Sequence, residues 1–431
     1  MPMPVEDATH LLKRAGFGGT AAEITATATR DRAAAVDGLL NAAGLPEQVP
    51  AEFNDPNKGD YERMIALSQQ WLDRMATTTS PLQEKMTLFW HGHFTTSSEK
   101  VGKAQALYDQ LVFHRANALG DFKVLTQGMA TQVAMLIFLD GSFNRVGHPN
   151  QNFARELMEL FTLGIGNYTE NDVIEGARAW TGYNLSDDET AFLFRPGNHD
   201  AKAKTIFGIT KNWDGAMMID EILTGSKQAV MARYIARKLW EFFAHPGPPA
   251  GVVDALAQVF IDNGLQLKPL MRALFMRDEF YAPAAKQGLV RTPIEYAVSL
   301  LRSMQLVASQ LDLQYHLTNQ GQEPFNPPNV SGWKANGYWI STSTAAARAA
   351  FIWHLLDRAN QAGKLPDFTK QTVPVATTSA FATVQLTSPS PVTKAAVQNW
   401  LDGVRKATDY FGDQRFDLMF LVLMTPDLQV A

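Results

Sequence analysis

Asn150 to Tyr183 reads NQNFARELMELFTLGIGNYTENDVIEGARAWTGY. Apolar residues recur at helical spacing on both sides of a glycine-rich turn, so the stretch spells two adjacent helices. The first carries Arg155, Glu156 and Glu159 among Phe153, Leu157, Leu160 and Phe161. The second carries Asp172, Glu175 and Arg178 among Val173, Ile174, Ala177 and Trp180. Gly164, Gly166 and Asn167 permit the reversal between them. Thr169 followed by Asp172 has the form of a capping box with Asp in place of Glu. Charges set inside apolar helices are paired, hold an ion, or stand ready for chemistry.

Outward from this pair the pattern stays helical. Residues 5–42 keep apolar spacing, broken at Gly16, Gly18 and Gly19, and residues 44–58 form a loop rich in Pro and Asn. Helices are predicted at about 61–77, 81–94, 102–119 and 121–139, and a Gly/Asn/Pro loop over 140–151 delivers the chain to the central pair. Residues 184–215 break the period. AFLFRP alternates as a strand does, PGN turns, and AKTIFGI returns, which predicts one small hairpin with His199 and Asp200 near its bend. Helices resume at about 217–224, 227–244, 251–263, 267–280 and 291–309. A loop over 321–340, a helix over 342–362 and helices at about 394–408 and 412–424 complete the chain. Residues 364–393 are rich in Thr, Ser and Pro and read as an irregular insertion. The fold class is mainly α: one large irregular helical domain over 1–431, with a β-hairpin insertion at 184–215 and the irregular insertion at 364–393.

Composition narrows the function. The chain has 431 residues, 46% hydrophobic and 19% charged, which suffices for a large core. A net charge of -5 offers no basic footprint for nucleic acid or an anionic membrane. With no cysteine, disulfides, thiolate metal sites, iron–sulfur clusters and cysteine nucleophiles are excluded. The most apolar run, Val133 to Leu139, is far below the ~20 residues of a membrane span. No signal-peptide core is visible, so a cytoplasmic location is the default expectation.

Five groups of residues have the types that carry chemistry. His91 and His93, in Trp90-His-Gly-His-Phe94, are two apart; on a helix they face different neighbours unless the helix frays at Gly92. They are metal ligands, or histidines hydrogen-bonded near a helix C-terminus. Glu156 and Glu159 share a helix face, with Arg155 beside Glu159. Two carboxylates so placed act as an acid–base pair or hold a hard cation; otherwise they belong to a buried Arg–Glu lattice. Glu175 and Arg178, one turn apart, are positioned to face the preceding helix. His199-Asp200 supplies an oriented imidazole or two metal ligands, unless it is a solvated turn. The loop from Pro327 to Trp339 walls a pocket or plugs the core. No G-x-S-x-G elbow, H-E-x-x-H, Walker loop or E-x-x-H di-iron motif is present.

HLLKRAGFG from His10, the W-H-x-H-F motif, Asn150 to Gly164, Tyr168 to Gly182, His199 to Gly208 and P-P-N-V-x-G-W at Pro327 occur in this order. Together they resemble the bacterial domain-of-unknown-function 1800 family over nearly the whole chain. Tyr183 stands where a tryptophan is common. The resemblance implies no activity. It implies export for many members, and a partner protein resembling alkaline-phosphatase-type hydrolases, whose genes often lie alongside.

Two functions are expected from these residues. One is an enzyme performing hydrolysis or oxidation, dependent on a divalent metal (Zn, Mn or Fe) or on acid–base groups. Glu156, Glu159 and Glu175 would do the acid–base work, with Arg155 and Arg178 orienting carboxylates or neutralising an anionic substrate. His91, His93, His199 and Asp200 would hold the metal. The other is a helical scaffold that binds a partner through an exposed aromatic loop, with Arg155, Glu156, Glu159 and Arg178 a structural lattice. The enzyme reading requires these groups to approach one cavity.

Overall fold

The computed structural model describes residues 1–431. Twenty-one α-helices and two separate two-stranded antiparallel sheets make up the fold, which is mainly α. One contiguous apolar core takes in residues from Met3 to Leu428. No helix is long and apolar enough to cross a membrane.

The element buried on every side is not the central pair read from the sequence. It is Pro81–His93, here α1, which begins with Pro81 in its first turn, where no backbone donor is needed. Only Gln83 and Gly92 of this helix reach the surface. A helix without a polar face belongs in the middle of a core. Yet α1 carries Glu84, Lys85, His91 and His93 inside, so its charges must be answered by its neighbours. Ala104–Asn117 (α2) packs alongside it.

The central stretch does form a helix pair. Asn150 holds the approach: its amide and side chain bond Asn144 Oδ1 at 2.9 Å and the Asp140 carbonyl at 3.1 Å. The helix Asn152–Glu156 (α3) runs straight into a π-helical turn, Leu157–Thr162. Gly164 and Gly166, at φ +82 and +88, reverse the chain. Glu170–Ala179 (α4) then starts at the expected capping box, with the Asp172 amide on Thr169 Oγ1 at 3.2 Å and the Thr169 amide on Asp172 at 2.9 Å.

The predicted hairpin is two hairpins. β1 (Tyr183–Leu185) pairs backward with β2 (Phe192–Phe194), and β3 (Lys204–Ile206) pairs forward with β4 (Ile209–Lys211). Phe207 and Gly208, both at positive φ, make a two-residue turn, which closes β3 on β4 before it can meet β2. His199 and Asp200 therefore lie between the hairpins, not at a bend. Residues 364–393 also differ from expectation, because Val373–Thr383 is a helix with Ala376, Thr377, Ala380 and Phe381 buried. Its threonines satisfy themselves by bonding carbonyls four residues back, Thr377 to Val373 at 2.8 Å and Thr378 to Pro374 at 2.9 Å.

Candidate functional site

The predicted acidic constellation separates into two places. Arg155 reaches Glu170 at 2.7 Å near the surface, with 34% and 61% of the two side chains exposed. Glu159 accepts from the Tyr168 hydroxyl, and Glu156 has no partner. Burial pushes the Glu156 carboxyl up, with the Glu159 charge adding to it. The expected lattice of Arg155, Glu156, Glu159 and Arg178 is not formed. The π turn explains this: its wider winding sends Leu157, Met158, Phe161 and Thr162 inward and leaves Glu156 and Glu159 on the half-buried rim.

Arg178 faces the other way. It meets Glu175 at 2.8 Å and Asp200 at 2.8 Å. The Thr205 amide donates to Glu175 at 3.0 Å, and the Lys202 amide to Asp200 at 2.9 Å. Hydrogen bonds to Arg178 hold the Asp200 carboxyl below its ordinary range. His199 Nδ1–H donates to the Thr181 carbonyl at 2.8 Å. Three of the predicted residues, Glu175, Arg178 and Asp200, thus converge, but every carboxylate oxygen is taken. The cluster is a clasp tying the 199–205 segment to α4.

The buried lattice lies elsewhere, on α1. Glu84, 1% exposed, accepts from Trp71 Nε1 at 3.0 Å, Arg74 Nε at 2.7 Å and Arg115 Nε at 2.8 Å. Arg115 also meets Glu47 at 2.7 Å.

His91 and His93 leave α1 in different directions. His91 Nε2 accepts from the Phe325 amide at 3.1 Å, among Trp71, Phe325 and Trp333. Burial holds its pKa down at about 3. His93 Nε2–H donates to the Phe161 carbonyl at 2.9 Å, which fixes the tautomer and leaves Nδ1 a lone pair with no partner. Burial also holds His93 neutral, assisted by the charge of Lys238. The predicted metal set of His91, His93, His199 and Asp200 is not assembled, because each ring is committed to a different carbonyl or amide. No three His, Asp or Glu side chains gather anywhere as a metal-holding group.

What His93 does line is a cleft of about 220 Å³. Phe89 and His93 of α1, Lys238 and Phe242 of Gln228–Phe243 (α5), and Trp333 and Lys334 of the 327–335 loop form its walls. Gly332 seats the loop: at φ +78 it lies so close to α1 that a Cβ would stand 2.4 Å from the Gly92 carbonyl. Trp333 Nε1 is buried without an acceptor, and burial lowers the Lys238 ammonium against the opposing pull of Glu241 at the rim. The cleft thus combines apolar walls, two lysines, and an imidazole of fixed tautomer. A second cleft of about 250 Å³ lies over Arg74 and Arg115, but both are consumed by Glu84 and Glu47.

The sequence reading anticipated His93 and Trp333 but missed Lys238, Glu241 and Lys334. The signal for two of them was present, since Lys238 and Glu241 sit three apart on a helix with one continuous apolar face. His114 was missed too. It is wholly buried on α2, and neither ring nitrogen has a partner.

Fold and cleft define a mainly helical protein with a His–Lys pocket between two helices and an aromatic loop. The model of the family described as "Protein of unknown function (DUF1800)" matches residues 10–430, and the chain belongs to that family. No curated protein and no solved structure matches the chain.

Proposed function

We propose that the cleft between α1, α5 and the 327–335 loop is an active site for proton-transfer chemistry on a small anionic molecule with an apolar part. One observation carries this reading. Titratable groups from distant segments, His93 and Lys238, meet in a single cleft with their protonation perturbed by burial. A neutral imidazole accepts a proton through Nδ1, and a lysine of lowered pKa exchanges one nearer neutrality. Lys334 at the mouth favours an anion, and Phe89, Phe242 and Trp333 suit an apolar moiety. The scaffold reading has less support, because the loop it needs buries Phe325 and Trp339, each 1% exposed, and half-buries Trp333, leaving Tyr338 and Ile340 open to solvent.

The test is incubation of the protein with a small-molecule extract of cells, followed by mass spectrometry over time. Anionic species are expected to change with wild-type protein and not with Lys238→Met or His93→Gln. An extract unchanged by folded wild-type protein, or changed equally by the variants, would remove the enzymatic reading. An amine-reactive reagent is an independent check. Lys238 is expected to label at pH 8 well ahead of exposed lysines, and equal labelling of all lysines would contradict the site.

A further inference from the structure

His316 lies on the short helix Leu313–Asn319, and His354 on Thr342–Gln361, which packs against it. His316 Nε2 and His354 Nδ1 stand 2.8 Å apart, with the ring planes tilted by 59°. This pairing is unlike that of other buried histidines in the chain. His10, His91 and His93 each bond a backbone carbonyl or amide, whereas His316, 3% exposed, answers a second imidazole. The rings are also held from outside. Tyr315 and Phe351 flank His316 at 5.4 and 5.6 Å between ring centres, and Trp353 meets His354 edge-on at 5.4 Å.

Both histidines line one cleft of about 290 Å³. Asp312, Tyr315, Asp357 and Arg358 line it too, so it sets two carboxylates against one guanidinium. Arg358 is engaged by Gln361 Oε1 at 2.9 Å. The charge of the cleft therefore favours a cation. Two imidazole nitrogens bound to one metal at about 2.0–2.1 Å, at right-angled to tetrahedral geometry, lie roughly 2.9–3.4 Å apart. The observed pair has to open by only about a few tenths of an ångström to match. The hydrogen between the two nitrogens belongs to either ring. The outer nitrogens, His316 Nδ1 and His354 Nε2, bond no protein atom. That hydrogen can move to one of them and leave both facing lone pairs free.

We propose that His316 and His354 form a site for one divalent transition-metal ion of the Zn2+, Cu2+ or Ni2+ class. Two imidazoles select such ions over Mg2+ and Ca2+, which take oxygen ligands. No third His, Asp or Glu closes on the pair. Water therefore completes the coordination inside the cleft, and Asp312 and Asp357 act on the ion through charge alone. The water positions are where an outside ligand would reach the ion. The site shares no residue with the His93 cleft and is independent of its chemistry.

Calorimetric titration of the untagged full chain with ZnCl2 tests the site. His354 is exposed, so His354→Gln keeps the fold, and His148→Gln removes an exposed histidine elsewhere. One Zn2+ per chain is expected for wild type and for His148→Gln, with binding at least about tenfold weaker in His354→Gln. His316→Gln repeats the test from the other helix, and MgCl2 is expected not to bind. With Cu2+, electron paramagnetic resonance should show coupling to two imidazole nitrogens in wild type and to one in His354→Gln. Folded wild type that takes up no Zn2+, equal affinity in wild type and His354→Gln, or fewer than two coupled nitrogens would each overturn the site.

Discussion

His93 reaches from α1 to the carbonyl of Phe161, 2.9 Å away in the π turn of the central stretch. One contact therefore joins the helix buried on all sides to the helix pair that is most distinctive in sequence. It also decides the protonation of His93, since a ring that donates through Nε2 offers only a lone pair at Nδ1. Neutral histidines buried this way make stability depend on pH.

His10 and His91 are held down at about 3, and His93 and His114 well below 6.5, all chiefly by burial. Each depressed pKa means the unfolded chain binds the extra proton first. Stability from these groups is complete above pH 6.5 and is lost as pH falls toward 3. Each histidine contributes up to about 1.4 kcal/mol per pH unit in that window. Denaturant midpoints from pH 8 to pH 5 should stay level above pH 7 and fall steeply below 6. A flat profile to pH 5 would show that the rings protonate in place.

His114 separates burial from function. Neither nitrogen has a partner and the ring stacks near Phe94 at 6.3 Å. Replacing an unsatisfied polar group by an apolar one of similar size is neutral or stabilising. His114→Leu should keep or raise the midpoint at pH 7.5 and make the acid profile shallower by one proton. A loss of more than about 2 kcal/mol would mean that the ring has an acceptor or ligand in solution.

Glu84 and Arg155 form a matched pair of tests. Glu84→Leu leaves Arg74 and Arg115 without their shared carboxylate in the core, at a cost of about 3–5 kcal/mol. Arg155→Ala breaks only a solvated pair with Glu170 and should melt within error of wild type. Chemical denaturation of the two variants side by side decides it, and a larger loss for Arg155→Ala would reverse the assignment.

These contrasts show what sequence pattern conveys. Helical spacing placed nearly every helix, because period reports which face is apolar. It missed Ser98–Val101 and Leu313–Asn319, which are too short to display a period, and Val373–Thr383, whose Thr, Ser and Pro content masks it, and it merged Phe122–Met129 with Val133–Phe138. Charge within an apolar stretch marked Glu156 as buried, whereas the carboxylate enclosed in the core is Glu84, which no motif singled out. The difference is tertiary: α1 is enclosed on all sides, whereas the π turn rotates Glu156 and Glu159 outward, and an i→i+5 turn has no one-dimensional signature. His93 and Trp333 were legible as motif residues. That they share a cleft with Lys238 depends on how α5 crosses α1, which spacing along the chain does not encode.

Gly332 offers the most direct control over that cleft. Its φ of +78 already disfavours any side chain, and an added Cβ would stand 2.4 Å from the Gly92 carbonyl, a backbone atom that cannot step aside. Gly332→Ala should therefore lift the 327–335 loop off α1. The His91–Phe325 hydrogen bond lies outside that loop and should hold, so the damage stays local. Hydrogen exchange is expected to speed up at 329–335 while α1 and α5 keep their protection. With its wall displaced, Lys238 returns toward an ordinary lysine pKa, and its labelling at pH 8 should slow even as its exposure rises. Faster labelling in the variant would mean that access, not a lowered pKa, governs reactivity at Lys238, and the acid–base role given to it would fail.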